Sequence, residues 1–428
     1  MVIKKIFADS LLKNSVYLMM ATFFNAILGF FFWMIAARYY APNDIGIISA
    51  ILSSVSLISM ISLVGFPTAL IFYLPRDSKN VNRIINSCLT ICIAISIIFS
   101  LIFILGINIW TPELKLVSSN IEIVAIFIIT TIMTTVSALI SGAFTAGRKS
   151  SFHMTKENIF GFIKIFPLVI FAGLGTMGIF LSWSVGLVSS MIIGFILLSK
   201  LWKYSPMLTF DPIIKNMARF SAGNYISGIF YSLPRLILPI MIISLISAES
   251  AGYFFIAFTM AGLLYGISQS ISSSFLAESS DKDKFWNNVN KAIKFNVGLL
   301  IPGLLLFVIF GKFVLNMFNS QYAENATSSL MILTATSIPL SMIGIFNTVR
   351  NAQGKVRSII KTNFLVAFIT LSLAIPLMRI WNIEGAAISY LTANTIVAIV
   401  VMYRMKSSVG STLKVLNGDL FKIMGILR

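Results

Sequence analysis

The sequence predicts an all-α integral membrane protein: twelve transmembrane helices in two six-helix lobes related by a parallel pseudo-two-fold repeat. Three observations carry this. Of the 428 residues 57% are hydrophobic and 11% charged, and the mean hydropathy of +0.93 is too high for a soluble globule. The segments joining the long apolar runs alternate between strongly basic and nearly free of Lys and Arg. Short motifs recur in the two halves at a nearly constant shift.

Of the 32 Lys and Arg, 26 fall in seven segments, at 4–13, 76–83, 148–156, 200–219, 282–294, 350–361 and 404–428. The six segments between them hold four, Arg38, Lys115, Lys312 and Arg379. The positive-inside rule assigns the seven, and with them both termini, to the cytoplasm, so the number of spans is even. The net charge of +18 is dispersed over short loops. It reports topology and contact with anionic headgroups rather than a nucleic-acid surface.

The predicted spans are 15–36, 45–73, 84–109, 121–146, 157–174, 178–201, 220–246, 251–276, 292–310, 328–349, 358–377 and 383–405. Each is near or above the ~20 residues a helix needs to cross hydrocarbon. The first follows a short basic stretch and is too long for a cleaved signal, so it is expected to be retained. The third carries Cys88 and Cys92 one turn apart, which reads as packing, since two thiols on one helix cannot reach disulfide geometry. The longest connection, around 200–219, joins spans six and seven and divides the chain into lobes 1–203 and 204–428.

Those lobes read as copies. Asp44-Ile45-Gly46-Ile47 sits opposite Ser250-Ala251-Gly252-Tyr253, a shift of 206, and Ala146-Gly147-Arg148 opposite Gln353-Gly354-Lys355, a shift of 207. Gly178-Ile179-Phe180-Leu181-Ser182-Trp183 sits opposite Gly385-Ala386-Ala387-Ile388-Ser389-Tyr390, again 207. Six spans per unit restore the same sidedness, so the repeats are parallel, with the substrate path expected between the halves near midplane.

Three stretches resemble a known family: an Asn-containing first span ending in Ala36-Ala37-Arg38-Tyr39-Tyr40-Ala41-Pro42-Asn43-Asp44-Ile45-Gly46, then Gly65-Phe66-Pro67-Thr68-Ala69-Leu70, then Ala146-Gly147-Arg148. They look like the polysaccharide transporters of the MOP (MATE-like) superfamily, specifically Wzx-type O-antigen flippases, over essentially the whole chain. The resemblance implies movement of undecaprenyl-pyrophosphate-linked oligosaccharide repeat units, of O-antigen or capsule type. They would pass from the cytoplasmic to the periplasmic leaflet of the bacterial inner membrane by alternating access. It also implies membrane lipids, a polysaccharide polymerase and a chain-length regulator as partners, and no cofactor beyond a coupling ion, H+ or Na+.

Two basic residues, Lys164 and Arg235, fall inside predicted spans, where an ionisable group is a functional hypothesis by default. Arg235 lies between Pro234 and Pro239, and Pro239 cannot donate to its carbonyl, so span seven is expected to break and hinge there. Ser221, Asn224, Gly228, Tyr231 and Ser232 recur at helical spacing with Arg235 and make one face polar. That face reads as cavity lining, against an Arg snorkelling to headgroups. Lys164, about two turns into span five, reads equally as substrate-binding or as snorkelling. Glu157 and Gly161 share its face. Asn14, Thr22, Asn25 and Gly29 form a similar stripe in span one. Asn25, Lys164, Asn224, Tyr231, Ser232 and Arg235 are therefore the substrate-binding candidates, and Glu157 and Glu384, at predicted helix starts, the ion-coupling candidates. Arg357 and Lys361 read as topology charges.

There is no phosphate-binding Gly-x-x-x-x-Gly-Lys-Ser/Thr loop. His153, the single histidine, leaves no His-based catalytic pair or metal cluster and reads as a loop residue. No catalytic residue is expected, and the chain reads as a transporter rather than an enzyme. A cation-coupled multidrug exporter of the same superfamily is an alternative, disfavoured because deep positive charge repels cationic drugs. A membrane-embedded polysaccharide polymerase or ligase is another, disfavoured because the outer segments are short and poor in basic residues.

Overall fold

The computed structural model describes residues 10–77, 79–278 and 285–408, and among them every regular element is helical. After α1 (Ser10–Tyr39), α2 (Pro42–Ser62) opens with Pro42 in its first turn and Asp44 beside its N-terminus, where missing donors and negative charge are both favourable. It ends where Val64 and Gly65 turn to φ 49 and 79. A Cβ on Gly65 would stand 2.6 Å from Ser221 Oγ, so only glycine supplies both the angle and the contact. The chain continues through α3 (Phe66–Tyr73), α4 (Val81–Leu105), α5 (Ile107–Trp110) and α6 (Ile121–Ala146). Asn120 caps α6 by accepting the Ile123 N–H at 2.9 Å.

The fifth predicted span is not one helix. It consists of α7 (Ser150–Ile163), α8 (Ile165–Ile170) and a 3-10 turn at 172–174. Pro167 has no N–H for the Ile163 carbonyl, so the ladder cannot continue unbroken past Lys164. In α9 (Thr176–Trp202) the first turn is tied to α2, because Asp44 Oδ1 accepts from the Thr176 N–H at 3.0 Å and hydroxyl at 2.7 Å.

The remaining helices are α10 (Ile213–Leu245), α11 (Ala248–Glu278), α12 (Phe285–Phe318), α13 (Ser320–Asn325), α14 (Thr327–Ala335), α15 (Ser337–Ala352) and α16 (Val356–Ser408). α16 leaves helical angles at Trp381 and Asn382, at the join of the eleventh and twelfth predicted spans. Among the described residues ten helices are long and apolar enough to cross a membrane, α16 counting once and the broken α7–α8 segment not at all. Large apolar side chains such as Ile98, Leu105, Ile309, Phe313 and Ile399 stay exposed, as lipid-facing residues do. The chain is a multi-pass membrane protein.

Contacts divide it into two compact units, one reaching to Ile256 and including Phe313–Ala326, the other formed by Ala257–Lys312 and the residues from Thr327 onward. This division falls elsewhere than the repeat boundary at 203/204, because α10 packs on the N-terminal helices. Tyr225 donates its hydroxyl to the Ile61 carbonyl, and Phe220 stacks on Phe72 with ring centroids 4.3 Å apart. The connection before α10 is also tied down. Asn82 Nδ2 donates to the Lys203 carbonyl at 3.3 Å, Asn86 Nδ2 to that of Ser205 at 2.8 Å, and Arg83 pairs with Asp211 at 2.9 Å. Tyr204, its hydroxyl pushed up to about 12 by burial, donates to Asn86 Oδ1.

Glycines pave the closest crossings, as expected where helices associate by packing in lipid. In the first unit a Cβ on Gly46 would lie 1.6 Å from the Ala248 carbonyl oxygen, and one on Gly252 would lie 2.3 Å from that of Pro42. A Cβ on Gly178 would meet the Phe171 carbonyl at 2.1 Å. In the second unit the close approach is within α16, across its bend at 381–382, where a Cβ on Gly385 would meet the Leu377 carbonyl at the same 2.1 Å.

Candidate functional site

The break in the fifth span creates the most unusual environment in the chain. Lys164 occupies the joint between α7 and α8 and is 3% exposed. Its ammonium lies 4.3 Å from the ring centres of Phe160 and Trp183 and 4.7 Å from that of Phe32. Gly186 lets α9 come close enough to close this box, since a Cβ there would stand 2.8 Å from Lys164 Cβ. Gly161, on the same face of α7, packs against Leu28 of α1 in the same way. Among the described residues Lys164 forms no ion pair. Burying an ammonium costs several kcal/mol, whereas a desolvated cation–π contact returns about 2 kcal/mol. The three rings offset part of that cost. Lys164 does not snorkel, contrary to one of its two sequence readings.

Just over two turns earlier, eight residues away, a second lysine is buried. Lys156 reads in the sequence as a loop charge beside Arg148 and Lys149, but it is fully buried. It donates to Ser137 Oγ at 2.6 Å and to Glu157 Oε1 at 2.7 Å. Glu157 Oε1 also accepts from Ser141 Oγ at 3.2 Å, and Ser190 Oγ donates to the Lys156 carbonyl at 3.2 Å. The cause is helical phase: α7 begins at Ser150, so Lys156 turns inward where Arg148 and Lys149 do not. Ser137 and Ser141, spaced four apart on α6, were the available signal. His153, one turn before, reads as a loop residue but lies within α7, and its Nδ1 is buried with no hydrogen-bond partner. Burial lowers its pKa, opposed by Glu157 and reinforced by Lys156.

Arg235 sits on an exposed face of α10 with Asn224, Gly228 and Tyr231, while Ser232 is half-buried and Ser221 buried. No atom lies within 4 Å of where a Gly228 Cβ would be. The expected break does not occur: α10 runs as one helix through Pro234 and Pro239, both buried. The helix keeps its course although each proline lacks the donor that would close its turn.

Asn25 is half-buried, Thr22 exposed, and Gly29 faces open space, whereas the Asn14 side chain lies outside the described residues. Glu384 is half-buried just beyond the bend at 381–382, and Arg357 and Lys361 are exposed. Among the described residues no cluster of His, Cys, Asp and Glu side chains is suited to a metal ion. The structure thus brings Lys156, Glu157 and Lys164 together on one broken helix, and leaves Arg235 on a separate stripe.

Long apolar helices, close crossings at glycines and lysines buried inside the bundle define a multi-pass membrane protein. Residues 11–273 match the family described as polysaccharide biosynthesis protein, and the chain belongs to that family. Its fold is similar to that of the lipid II flippase MurJ in an inward closed conformation. The TM-score is 0.71 at 17% identity, over 91% of this chain and 87% of that one. A multidrug resistance MATE family transporter of the MOP superfamily, inward-facing, aligns with a TM-score of 0.69 at 14% identity, over 93% and 99% of the two chains. A MOP superfamily transporter from Pyrococcus furiosus, for which a reversed polarity of the binding pocket is taken to suggest a different function, gives 0.63 at 13%, over 94% and 96%. At these identities the likeness is one of fold. A comparison with curated proteins finds no match. The family is one of polysaccharide biosynthesis proteins and the fold is that of the MurJ and MATE transporters, which agrees with the resemblance read from the sequence.

Proposed function

We propose that this protein moves undecaprenyl-pyrophosphate-linked oligosaccharide repeat units from the cytoplasmic to the periplasmic leaflet of a bacterial inner membrane. The observation that carries the reading is the sign of its interior charge. Lys164 is buried with no ion pair among the described residues, and Arg235 stands on an exposed polar stripe of a membrane helix. A pyrophosphate entering such a site recovers part of its lost hydration through charge-assisted hydrogen bonds. Asn25, Asn224, Tyr231 and Ser232 supply groups for sugar hydroxyls.

The bend at 381–382 and the broken α7–α8 segment support a count of twelve spans, and the alternating loop charge supports cytoplasmic termini. Two six-span lobes, 1–203 and 204–428, then alternate access, with α10 flexing at Pro234 and Pro239 and with Glu157 or Glu384 as the group through which H+ or Na+ is coupled. A polymerase and a chain-length regulator would receive the product.

The test is reconstitution in vesicles with defined lipid-linked oligosaccharides under imposed ion gradients. Arrival of the glycan at the opposite leaflet is expected. Transport of cationic drugs with no glycan movement would favour the exporter reading instead.

A further inference from the structure

We infer that Lys156 is a positioning residue that keeps the Glu157 carboxylate away from Lys164 and so preserves an uncompensated ammonium for an anionic ligand. The inference rests on the reading of Lys164 as a substrate-binding cation. Glu157 and Lys164 lie two turns apart on one face of the helix, about 10 Å along its axis at 1.5 Å per residue. A glutamate and a lysine side chain reaching toward each other span that gap. Left alone, the two would pair and the charge would be lost to an outside anion.

The structure shows the pairing diverted. Glu157 Oε1 is held by Lys156 Nζ at 2.7 Å and Ser141 Oγ at 3.2 Å, toward α6. Lys164 points instead to rings of α1 and α9, Phe32 and Trp183, and to Phe160 of its own helix. Lys156 is fixed in turn by Ser137 at 2.6 Å. Lys156 is thus the lysine paired with the carboxylate, and Lys164 is left without a hydrogen-bonded carboxylate among the described residues. A buried ion pair is a poor source of stability. What this pair does accomplish is to decide which of two lysines the carboxylate neutralises.

The probe is farnesyl pyrophosphate binding to the purified full-length protein in nanodiscs, with thermal unfolding recorded for every variant. Lys164→Met should weaken binding about tenfold, the loss of one charge-assisted pair. If it binds as the wild type does, the underlying reading of Lys164 fails. Lys156→Met should also weaken binding about tenfold, because Glu157 then turns to Lys164. Lys156→Met combined with Glu157→Asp should recover part of that loss, since a carboxylate one methylene shorter reaches across two turns less well although the net charge is the same. Glu157→Gln should bind more tightly than the wild type even where it unfolds at a lower temperature, and it decides the matter should Lys156→Met fail to accumulate. With Lys164→Met weak, a Glu157→Gln variant that binds less well than the wild type, or a double variant no better than Lys156→Met, would overturn the inference and leave the pair structural.

Discussion

The segments around Lys156 and Asn363 stand 207 residues apart, the shift at which the sequence motifs recur, and they answer one packing problem in two ways. Each residue is buried near the start of its helix and bonds to the helix before it: Lys156 donates to Ser137 at 2.6 Å, and Asn363 accepts from Asn347 at 3.0 Å. One half places an ion pair there, the other a neutral amide. The contrast continues inward. Lys164 corresponds to Leu371, and Trp183, which walls the ammonium, corresponds to Tyr390, which meets Phe258 and Tyr265. Pro167 corresponds to Ala374, and the helix is broken in the first case and continuous in the second. Packing alone is satisfied by the neutral version, which fits the proposal that the charge of the N-terminal segment serves a ligand.

The strongest way to break this comparison is to move the charge. Asn363→Lys would bury an ammonium next to Phe364, where Lys156 has Glu157, at about 3–5 kcal/mol, and the variant should be lost from the membrane fraction. Adding Phe364→Glu should recover part of the protein, as judged by immunoblot; full accumulation of the single variant would show that this position is not a dry seat.

A second contrast is between caged and exposed cations. Arg235→Ala should reduce surface polysaccharide at least ~10-fold, normalised to protein level, in a strain lacking its own flippase, with Arg235→Lys retaining part because an ammonium cannot make two parallel bonds. Lys164→Ala should be milder in that assay. Export at the wild-type level by Arg235→Ala would remove the exposed stripe from the substrate path.

Smaller effects sharpen the comparison. Ser137→Ala removes a bond to a charged donor and should cost about 2 kcal/mol, against about 1 kcal/mol for Asn347→Ala; thermal unfolding in detergent orders the two, and equal losses would mean that the charge adds nothing locally. Least perturbing of all, reporter fusions after Tyr73 and Leu201 should both read cytoplasmic, and a periplasmic signal at Leu201 would end the parallel-repeat reading.

Much of the fold was legible because a membrane span announces itself by length and apolarity, and a loop by its charge. The glycines at 46, 178, 252 and 385 were legible as motifs before their contacts were known. Lys156 was not, because charge counting in one dimension assigns a lysine to its nearest basic neighbours, and only the start of α7 at Ser150 fixes the direction it faces. The three rings around Lys164 come from α1, α7 and α9, and no spacing rule brings Phe32 beside Trp183. The continuity of α10 through two prolines runs against local propensity, which each missing donor lowers.

The crossing at Gly46 and Gly252 has a consequence for mutational libraries. In both directions the obstructing atom is a backbone oxygen, 1.6 Å or 2.3 Å from where a methyl group would stand, and a backbone atom cannot rotate out of the way as a side chain can. No second substitution nearby can make room. Saturation mutagenesis should therefore return two columns with a single permitted letter, and a screen for suppressors of Gly46→Ala should come back empty.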